Sequence, residues 1–498
     1  MGLDEFRRYD GFGLAELVKQ KQVSPKALVE AAFSRIEEIN PIINAVVRSY
    51  QEQALKEAAA FKVNGQPFAG VPILVKDISQ RVQGQKMTCG SLLMKDNIAS
   101  VDSYFVQRLK QVGFIVIGHT NTPEFGLRNV TENKLYGASR NPWNLAHSPG
   151  GSSGGSAASV AAGIVPIAGA SDGGGSIRIP ASFTSLFGMK PTRGRTPVGP
   201  GSGRQWHGAA IDFCLTRSVR DSAYMLDVMS VFQPEAAFHA PSLEKKMSEL
   251  ILQPLVKKFK IAYSTKSPVG TKVDQDAITA VHKLVKQLEE LGHHIEEAEL
   301  QIDGIRLMEN YYLMNCGEMA SDMLFVEEMN GKKATFEEMD IVTWVLYQVG
   351  LNLSAVEFTR SLAEWDVAAA QMTAFHQKYD LVITPTTAFT APKVGQLMQT
   401  QTEIEKLLVV TELSKKDQLR LVYEMFLPSL TYTPFTQLSN LTGQPAMSLP
   451  VHLSSEGLPL GVHVMAPKGK ENWLYQLAIQ VEKSDLWIGT DQVLKLNI

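Results

Sequence analysis

Residues 148–156 read SPGGSSGGS, and residues 171–180 read SDGGGSIRIP. The segment between them, GSAASVAAGIVPIAGAS at 155–171, is apolar and has the patterns of a helix and a strand. A flexible linker would continue into polar, low-complexity sequence, which these flanks do not show. We therefore interpret both glycine-rich segments as backbone that must approach another group closely, since glycine removes the side chain that would prevent it.

These glycines do not match the common nucleotide-binding loops. A P-loop requires a lysine directly after its last glycine, and neither segment has one. A dinucleotide-binding loop requires its glycine pattern after the first strand of a βαβ unit, and that fit is poor. The segments therefore favour a catalytic loop.

The composition argues against several classes of partner. The 498 residues include 48 Lys and Arg against 51 Asp and Glu, a net charge of −3, and this balance does not suggest nucleic acid as a partner. The three cysteines lie far apart in sequence and match neither a disulfide framework nor a zinc pattern. No signal peptide is recognised, and no run reaches the roughly 18 apolar residues of a membrane span. We expect a cytoplasmic protein that binds neither nucleic acid nor membrane.

Strand patterns alternate with helix patterns along most of the chain. Ser24 is suited to cap a helix over 23–40, and the polar segments near 234–250 and 395–420 resemble surface insertions. The clearest buried strands are predicted at 70–77, 113–121 and 379–387. Long helices are predicted at 304–329 and 354–378. This alternation predicts the α/β class, built on a layered sheet.

Two serine motifs could indicate other mechanisms. Ser153 is the serine of a Gly-x-Ser-x-Gly nucleophile elbow, but that mechanism needs a downstream histidine. His452 and His463 lie in apolar alternating strands, where structural histidines are expected. Ser242 and Lys245 match Ser-x-x-Lys but lie in a charged segment without the companion motifs, so we interpret that match as chance.

Lys76 is the candidate base for serine chemistry without histidine. A serine hydroxyl is a weak nucleophile until a base removes its proton. A lysine can be that base only when it is neutral, and burial favours the neutral form. The apolar run VPILV at 71–75 should carry Lys76 inside, although a strand-end lysine that points to solvent is the alternative.

Most of the chain resembles the amidase signature family of Ser–Ser–Lys amide hydrolases. The resemblance lies in GVPILVKD, TNTPEFG, YGASRNPWN, the block from SPGGSSGGS to MKPTRGR, TRSVRDSA, YDLVITPTTA and LTGQPAMSLP. It implies a large mixed β-sheet covered by α-helices on both faces, in a single domain over 1–498. The catalytic core would span about 66–225, and a C-terminal part at about 258–498 would complete the sheet and the pocket. The resemblance implies no cofactor and no metal.

The resemblance also implies a catalytic triad. Ser176 corresponds to the acylated nucleophile, Ser152 to a bridging serine on a cis Gly–Ser peptide, and Lys76 to the general base. All three positions are intact, which argues against a catalytically idle binding protein.

The remaining residues of the two segments would support that triad. Asp172 and Arg178 would hold the loop by hydrogen bonds and a charge pair, with a surface salt bridge as the alternative for Arg178. Ser153 would support the network through a second hydroxyl. Where the family usually has TDTGGSIR, this chain has Ser171 and Gly173 in place of the two threonines. The backbone N–H groups placed around an oxyanion would be those of Gly173, Gly174, Gly175 and Ser176.

Two branches of the family differ in how closely they resemble this chain. The A subunit of the glutamine-dependent tRNA amidotransferase usually continues SIRQP, whereas this chain has SIRIP with Ile179. The runs DGGGSIRIPAS, RGRTPVGPG and WHG more closely resemble the branch of 6-aminohexanoate cyclic dimer hydrolase and related stand-alone amidases. We expect an amidase for a small carboxylic amide, linear or cyclic, acting as a monomer or homodimer, with the amidotransferase subunit as the alternative.

The pocket walls should lie in segments that vary within the family. Trp206 and His207 lie in the segment 202–208, and Tyr311 and Cys316 lie in a predicted helix. Aromatic and apolar side chains are typical of pockets for small ligands. We therefore predict these four residues as pocket residues, although core packing explains Cys316 equally well.

Overall fold

The computed structural model describes residues 2–489, and eleven strands within this range form one sheet. Positions 1 and 490–498 of the predicted domain lie outside the described residues. The strands are β1 (Val46–Ser49), β2 (Pro72–Lys76), β3 (Ile115–Thr120), β4 (Ile167–Asp172), β5 (Phe187–Lys190), β6 (Ile211–Thr216), β7 (Lys260–Tyr263), β8 (His294–Glu297), β9 (Leu381–Pro385), β10 (Ala446–Leu453) and β11 (Pro459–Met465).

Seventeen α-helices occur in the described part of the chain. They are α1 (Leu3–Arg8), α2 (Gly11–Lys19), α3 (Pro25–Ile43), α4 (Gln51–Ala60), α5 (Tyr104–Gln111), α6 (Gly154–Ala161), α7 (Arg178–Thr184), α8 (Val219–Met229), α9 (Met247–Leu250), α10 (Gln275–Glu290), α11 (Gly304–Asn330), α12 (Ile341–Gly350), α13 (Ala355–His376), α14 (Gln401–Leu408), α15 (Lys415–Tyr432), α16 (Gln437–Thr442) and α17 (Glu471–Glu482).

The sheet is mixed, with the strand order β1–β3–β2–β4–β6–β5–β10–β11–β9–β7–β8. Strands β3, β2 and β4 are parallel neighbours, as are β9, β7 and β8, and the other neighbours are antiparallel. The predicted α/β class with a large mixed sheet is confirmed. The pairing of β5 with β10 connects strands from the two ends of the chain, so both ends build the same sheet.

Local sequence signals explain where several helices begin. The predicted helix over 23–40 is α3, and the Ser24 side chain accepts a hydrogen bond from the Ala27 N–H at 3.1 Å. That bond satisfies one of the free N–H groups of the first turn. Ser354 and Thr400 form complete capping boxes at α13 and α14, respectively.

A second hydrophobic cluster lies apart from the core along the sheet. It joins α11, α12 and α15, and it includes Leu407 and Val410, which are fully or almost fully buried. Most of 395–420 is exposed, as expected of a surface segment, and a few of its apolar residues pack against α12. Most of 234–246 is exposed, including Ser242 and Lys245, as the chance match to Ser-x-x-Lys predicts.

Between residues 2 and 489, no single helix is both long and apolar enough to cross a membrane. One pair, α12 and α13, meets the length and composition criteria only when the two are taken together, and they are bent by 112° at their junction.

A buried ion pair fastens the last helix to the segment after β5. The Glu471 carboxylate, at the start of α17, accepts bonds from Arg195 Nε at 3.0 Å, Arg195 Nη2 at 3.2 Å and the Thr192 N–H at 3.0 Å. Burial alone would raise the pKa of Glu471, but the Arg195 guanidinium more than reverses this and holds the pKa below its usual value. The pair therefore stabilises the fold above the carboxyl's unfolded pKa, and its contribution is lost as the pH falls through the lowered pKa.

We expect Glu471→Ala to lower the melting temperature at pH 7 by several degrees. Removing one partner leaves a buried guanidinium unpaired, which costs about 3–5 kcal/mol, or roughly 3–5 °C for a chain of this length. Differential scanning calorimetry measures the change. Glu52→Ala is the matched control, since its pair with Lys56 is exposed on both sides and should contribute little. Equal shifts for the two variants would contradict this account.

Candidate active site

Lys76 is the last residue of β2 and is fully buried, as is the whole strand. Its Nζ lies 2.7 Å from Ser152 Oγ and 2.9 Å from Ser171 Oγ. The alternative of a solvent-facing lysine is therefore wrong for this position. Burial lowers the pKa of Lys76 to about 7, against the opposing effect of the Asp212 and Asp172 carboxylates. A substantial fraction of the amine is thus neutral near pH 7.

A buried carboxylate connects Lys76 to the segment that carries the predicted pocket residues. Asp212, in β6, accepts bonds from Ser79 Oγ at 2.5 Å, Gln80 Nε2 at 3.2 Å and Gln205 Nε2 at 2.9 Å. Gln80 Oε1 in turn accepts a bond from the Lys76 backbone N–H at 2.8 Å. Burial raises the pKa of Asp212, and these donors oppose the rise. The sequence gives no motif for Asp212, and we did not predict it.

The first glycine-rich segment delivers Ser152 to Lys76. The Gly151–Ser152 peptide bond is cis. A Cβ on Gly151 would lie 2.8 Å from the Arg128 carbonyl oxygen and from the Val130 nitrogen, so any side chain there would collide with backbone. The expectation of close backbone approach is confirmed at this position.

Ser153 occupies a different environment from Ser152. Its Oγ donates to the Ser171 carbonyl at 3.2 Å and accepts from the Ser171 N–H at 3.3 Å. Ser153 is fully buried and is not among the residues that line the adjacent cavity. This position suits a supporting residue rather than the nucleophile of an elbow.

The second glycine-rich segment is held by Asp172, where β4 ends. The Asp172 carboxylate accepts bonds from the N–H groups of Gly175 at 2.7 Å and Ile177 at 3.2 Å. It also accepts two bonds of 2.9 Å from the Arg178 guanidinium. Burial alone would raise the pKa of Asp172, but Arg178 and Asn440 reverse this and hold it well below its ordinary value. Both charged groups are completely buried, so the surface salt bridge weighed for Arg178 is ruled out.

Arg178 also argues against His463 as a catalytic base. Its Nη1 donates to His463 Nε2 at 2.9 Å. His463 is buried, and burial together with Arg178 lowers its pKa well below the usual value, so its ring is neutral. The nitrogen that could accept a proton is therefore already occupied.

Three backbone N–H groups of the second segment remain available to a ligand. Within the described residues, those of Gly173, Gly174 and Ser176 make no hydrogen bond to protein, and all three residues line the cavity. Each of these N–H groups shares a peptide plane with the carbonyl of the preceding residue, and all three carbonyls accept a hydrogen bond. The Asp172 carbonyl accepts from Asn440 Nδ2 at 3.0 Å, the Gly173 carbonyl from Tyr311 Oη at 3.1 Å and the Gly175 carbonyl from the Ile179 N–H at 2.7 Å, which fixes the three planes. Three fixed donors of this kind can stabilise an oxyanion.

Gly175 requires a correction. Its N–H donates to Asp172, so this group is not available to an oxyanion as predicted. Its role is conformational, because its φ is +134° and a Cβ would lie 2.2 Å from Thr436 Oγ1. Only glycine fits such a position.

Ser176 faces the cavity and is partly exposed. Its hydroxyl makes no hydrogen bond to any other described residue, and its carbonyl accepts a bond from the Ser153 N–H at 3.3 Å. The hydroxyl therefore lies beside the three free N–H groups and can reach a bound ligand.

The cavity has a volume of about 340 Å³, and aromatic side chains form part of its wall. Trp206 and Tyr311 line it as predicted, together with Tyr312 and Phe426. His207 does not line the cavity. Its Nε2 instead lies 3.0 Å from Oε1 of Glu318, which is a lining residue.

The prediction for Cys316 was wrong. This residue is fully buried on the face of α11 that packs against α12, where its carbonyl oxygen lies close to Gly350. Whether Cys316 lies in the pocket or in the core depends on which face of α11 borders the cavity. Asn315, Glu318 and Asp322 line the cavity from that helix, and we did not predict them.

In the part of the chain that the structure describes, no group of three or more His, Cys, Asp or Glu residues is arranged to hold a metal ion.

Comparison with known proteins agrees with this geometry. The Amidase family model matches residues 27–474, so the chain belongs to the amidase family. It is 38% identical over 480 residues to the lipoamidase of Enterococcus faecalis, in an alignment that covers 96% of this chain but only 64% of that protein. It is 35% identical over 486 residues to the 6-aminohexanoate-cyclic-dimer hydrolase of a Pseudomonas species, covering 96% of this chain and 95% of that one.

The solved structures agree. The structure of 6-aminohexanoate cyclic dimer hydrolase complexed with substrate superposes with a TM-score of 0.89 at 33% identity, over the full length of both chains. The predicted resemblance to the amidase signature family, and to this branch of it, is confirmed.

The pKa of Lys76 predicts a pH profile. Since only the neutral amine accepts a proton, kcat/KM for an amide should rise as the pH increases through about 7. Asp212→Asn removes a carboxylate that favours the charged ammonium, so the rise should move to lower pH. Asp96→Asn, at an exposed position, is the control and should leave the profile in place. An unmoved profile in Asp212→Asn would contradict the role given to that carboxylate.

Proposed function

We propose that this protein hydrolyses the C–N bond of a small carboxylic amide, linear or cyclic, through an acyl-enzyme on Ser176. The observation that carries the proposal is the contact of 2.7 Å between Lys76 Nζ and Ser152 Oγ, in a buried site beside the free N–H groups around Ser176. A buried amine of lowered pKa next to a serine is a base in position to activate a hydroxyl.

The first half-reaction forms the acyl-enzyme. Ser176 Oγ attacks the amide carbonyl carbon, while its proton passes to Ser152 and the Ser152 proton passes to Lys76. The N–H groups of Gly173, Gly174 and Ser176 bind the resulting oxyanion. The C–N bond then breaks as Lys76 returns the proton through Ser152 to the leaving nitrogen, which departs as ammonia or an amine.

The second half-reaction uses the same relay. Water attacks the ester carbonyl and gives its proton to Lys76 through Ser152. The tetrahedral intermediate collapses with cleavage of the bond to Ser176 Oγ, which recovers its proton, and the carboxylic acid is released. No cofactor enters either half. The Ser176 hydroxyl makes no bond to Ser152 in the free enzyme, so the relay requires the hydroxyl to turn towards Ser152 when substrate binds, as catalytic contacts often tighten in the complex.

The aromatic wall favours an amide with an apolar or aromatic part. Relatives named for lipoamide and for a cyclic amide dimer support this range of substrates. The A subunit of a tRNA amidotransferase is not favoured, because the relatives described above are named as a lipoamidase and as a 6-aminohexanoate cyclic dimer hydrolase. A purified chain that hydrolyses simple amides but leaves glutamine intact would exclude that alternative.

The organisation of the chain remains part of this proposal. We infer a single domain, since β5 and β10 pair across the two predicted parts at about 66–225 and 258–498. A monomer or homodimer in the cytoplasm is expected from the sequence features alone.

A serine-reactive fluorophosphonate should label Ser176, as peptide mass mapping will show. Ser176→Ala should abolish labelling and amide turnover, and Lys76→Ala should slow both by about 10²–10⁴-fold because the general base is lost. Ser242→Ala, in the exposed Ser-x-x-Lys match, is the control and should label normally. A label on Ser153, or full activity in Lys76→Ala, would refute the mechanism.

A further inference from the structure

We propose that Asn315, Glu318 and Asp322 on α11 form a subsite that binds the ammonium group at the distal end of an amide substrate. The inference rests on the proposed function, because it names a substrate class for the same cavity: amides with a protonated amine several bonds away from the scissile C–N bond.

The spacing of these residues places them in a row along the cavity. Positions 311, 315, 318 and 322 recur at three- and four-residue intervals, so they share one face of the helix, and all four line the cavity. The row begins at the reaction centre, where Tyr311 Oη contacts the Gly173 carbonyl. At 1.5 Å per residue, Glu318 lies about 10 Å and Asp322 about 16 Å further along the axis. Residues further along this row therefore lie further from the scissile bond.

Asn315 supplies an observation that does not depend on the acids. Its side chain is 4% exposed, and its Oδ1 is buried without any hydrogen-bond partner in the described residues. A buried acceptor left without a donor is costly, and native structures rarely tolerate one. An N–H group of a bound ligand would satisfy it. The orphaned oxygen lies about one turn before Glu318 and about two turns before Asp322 on the same wall.

The carboxylates themselves lack a cationic partner. Glu318 Oε1 contacts His207 Nε2 at 3.0 Å, but burial lowers the pKa of His207, so the ring is a neutral donor near pH 7. Asp322 is exposed and makes no hydrogen bond or ion pair within the described part of the chain. The protein packed around its carboxylate, together with the Glu318 carboxylate, raises the pKa of Asp322 to about 7. Burial likewise raises the pKa of Glu318. An ammonium ion would relieve the desolvation and repulsion of this pair.

The other charged groups near the row do not neutralise it. Arg204 lies at the cavity wall, is exposed, and makes no ion pair with the described residues, so it is the one nearby charge that opposes cation binding. The Cys89 thiol is near Asp322, but burial raises its pKa and it stays neutral. Lys76 and Arg128 also line the cavity, with their charged ends bonded to serines and to Asp340, respectively. Two carboxylates thus share the cavity with one exposed guanidinium that makes no ion pair with the described residues.

Two matched pairs of substrates test the proposal and show which half of the substrate carries the cation. 6-Aminohexanoyl-4-nitroanilide and heptanoyl-4-nitroanilide differ only by an ammonium in place of a methyl group on the acyl side. N-(6-aminohexyl)acetamide and N-heptylacetamide differ in the same way on the amine side. The six bonds from the carbonyl carbon to the amine nitrogen of the aminohexanoyl chain cover about 7 Å, since three backbone bonds cover about 3.5 Å. A charge-assisted hydrogen bond of about 2.8 Å to the carboxylate extends this reach to the roughly 10 Å of Glu318.

With the full chain at pH 8, we expect the ammonium compound of one pair to have a kcat/KM about tenfold above its neutral counterpart, mainly through KM. The ratio should fall below pH 7, where Asp322 takes up a proton, and the shared requirement for neutral Lys76 cancels in the ratio. In the double variant Glu318→Gln/Asp322→Asn the ratio should fall to about one. Glu328→Gln, exposed on the same helix outside the cavity, is the control and should keep both ratio and rates.

A wild-type ratio below threefold in both pairs would overturn the subsite, as would a preference that survives in the double variant. If no compound is hydrolysed, the proposed function is contradicted, but the subsite can still be tested by a binding measurement. Isothermal calorimetry should show hexylamine, but not 1-hexanol, bound to the wild-type chain and not to the double variant. Absence of hexylamine binding would reject the subsite whatever the enzyme's activity.

Discussion

The buried pair of Asp172 and Arg178 is the interaction on which the arrangement of the site depends. A buried ion pair is unfavourable unless hydrogen bonds saturate both partners. Here Asp172 binds two backbone N–H groups as well as the guanidinium. Arg178 also donates to the Thr436 carbonyl, Ser439 and Asn440, so it ties the catalytic segment to the C-terminal part of the chain. The backbone around Ser176 is therefore held in place by a fully buried ion pair and its hydrogen-bond partners.

Burial in the same interior makes Lys76 lose its proton more easily. Arg178 contacts a carboxylate directly, whereas Lys76 contacts only the hydroxyls of Ser152 and Ser171. Hydroxyls compensate the loss of water far less than a carboxylate does, so desolvation dominates and the amine loses its proton more easily. Asp212 limits this effect from a distance. Burial without a directly contacting carboxylate thus suits Lys76 to act as a base, because an ammonium loses its proton far more readily than a guanidinium does.

The local features could be predicted from the sequence, and the long-range contacts could not. Ser24 at a helix start, Lys76 at the end of an apolar strand and the close approach at Gly151 each follow from a few neighbouring residues. Asp212 could not be recognised, because its partners Gln80 and Gln205 are separated from it in sequence and meet it only in the fold. Gly175 was assigned to the oxyanion from a motif, whereas the direction of its N–H depends on the position of the Asp172 side chain.

Helix α11 shows why the pocket was harder to predict than the triad. Both of its faces are buried in part, one against α12 and one along the cavity, so apolar periodicity does not distinguish Cys316 from Tyr311. The polar residues are more informative, since Asn315, Glu318 and Asp322 would be unfavourable against α12 and are tolerated only where a cavity offers solvent or a ligand. The residue that fixes the Gly173 peptide and the residues that face the far end of the cavity belong to one rigid helix. A shift of α11 would therefore change substrate preference and oxyanion geometry together, which couples specificity in this enzyme to the position of a single structural element.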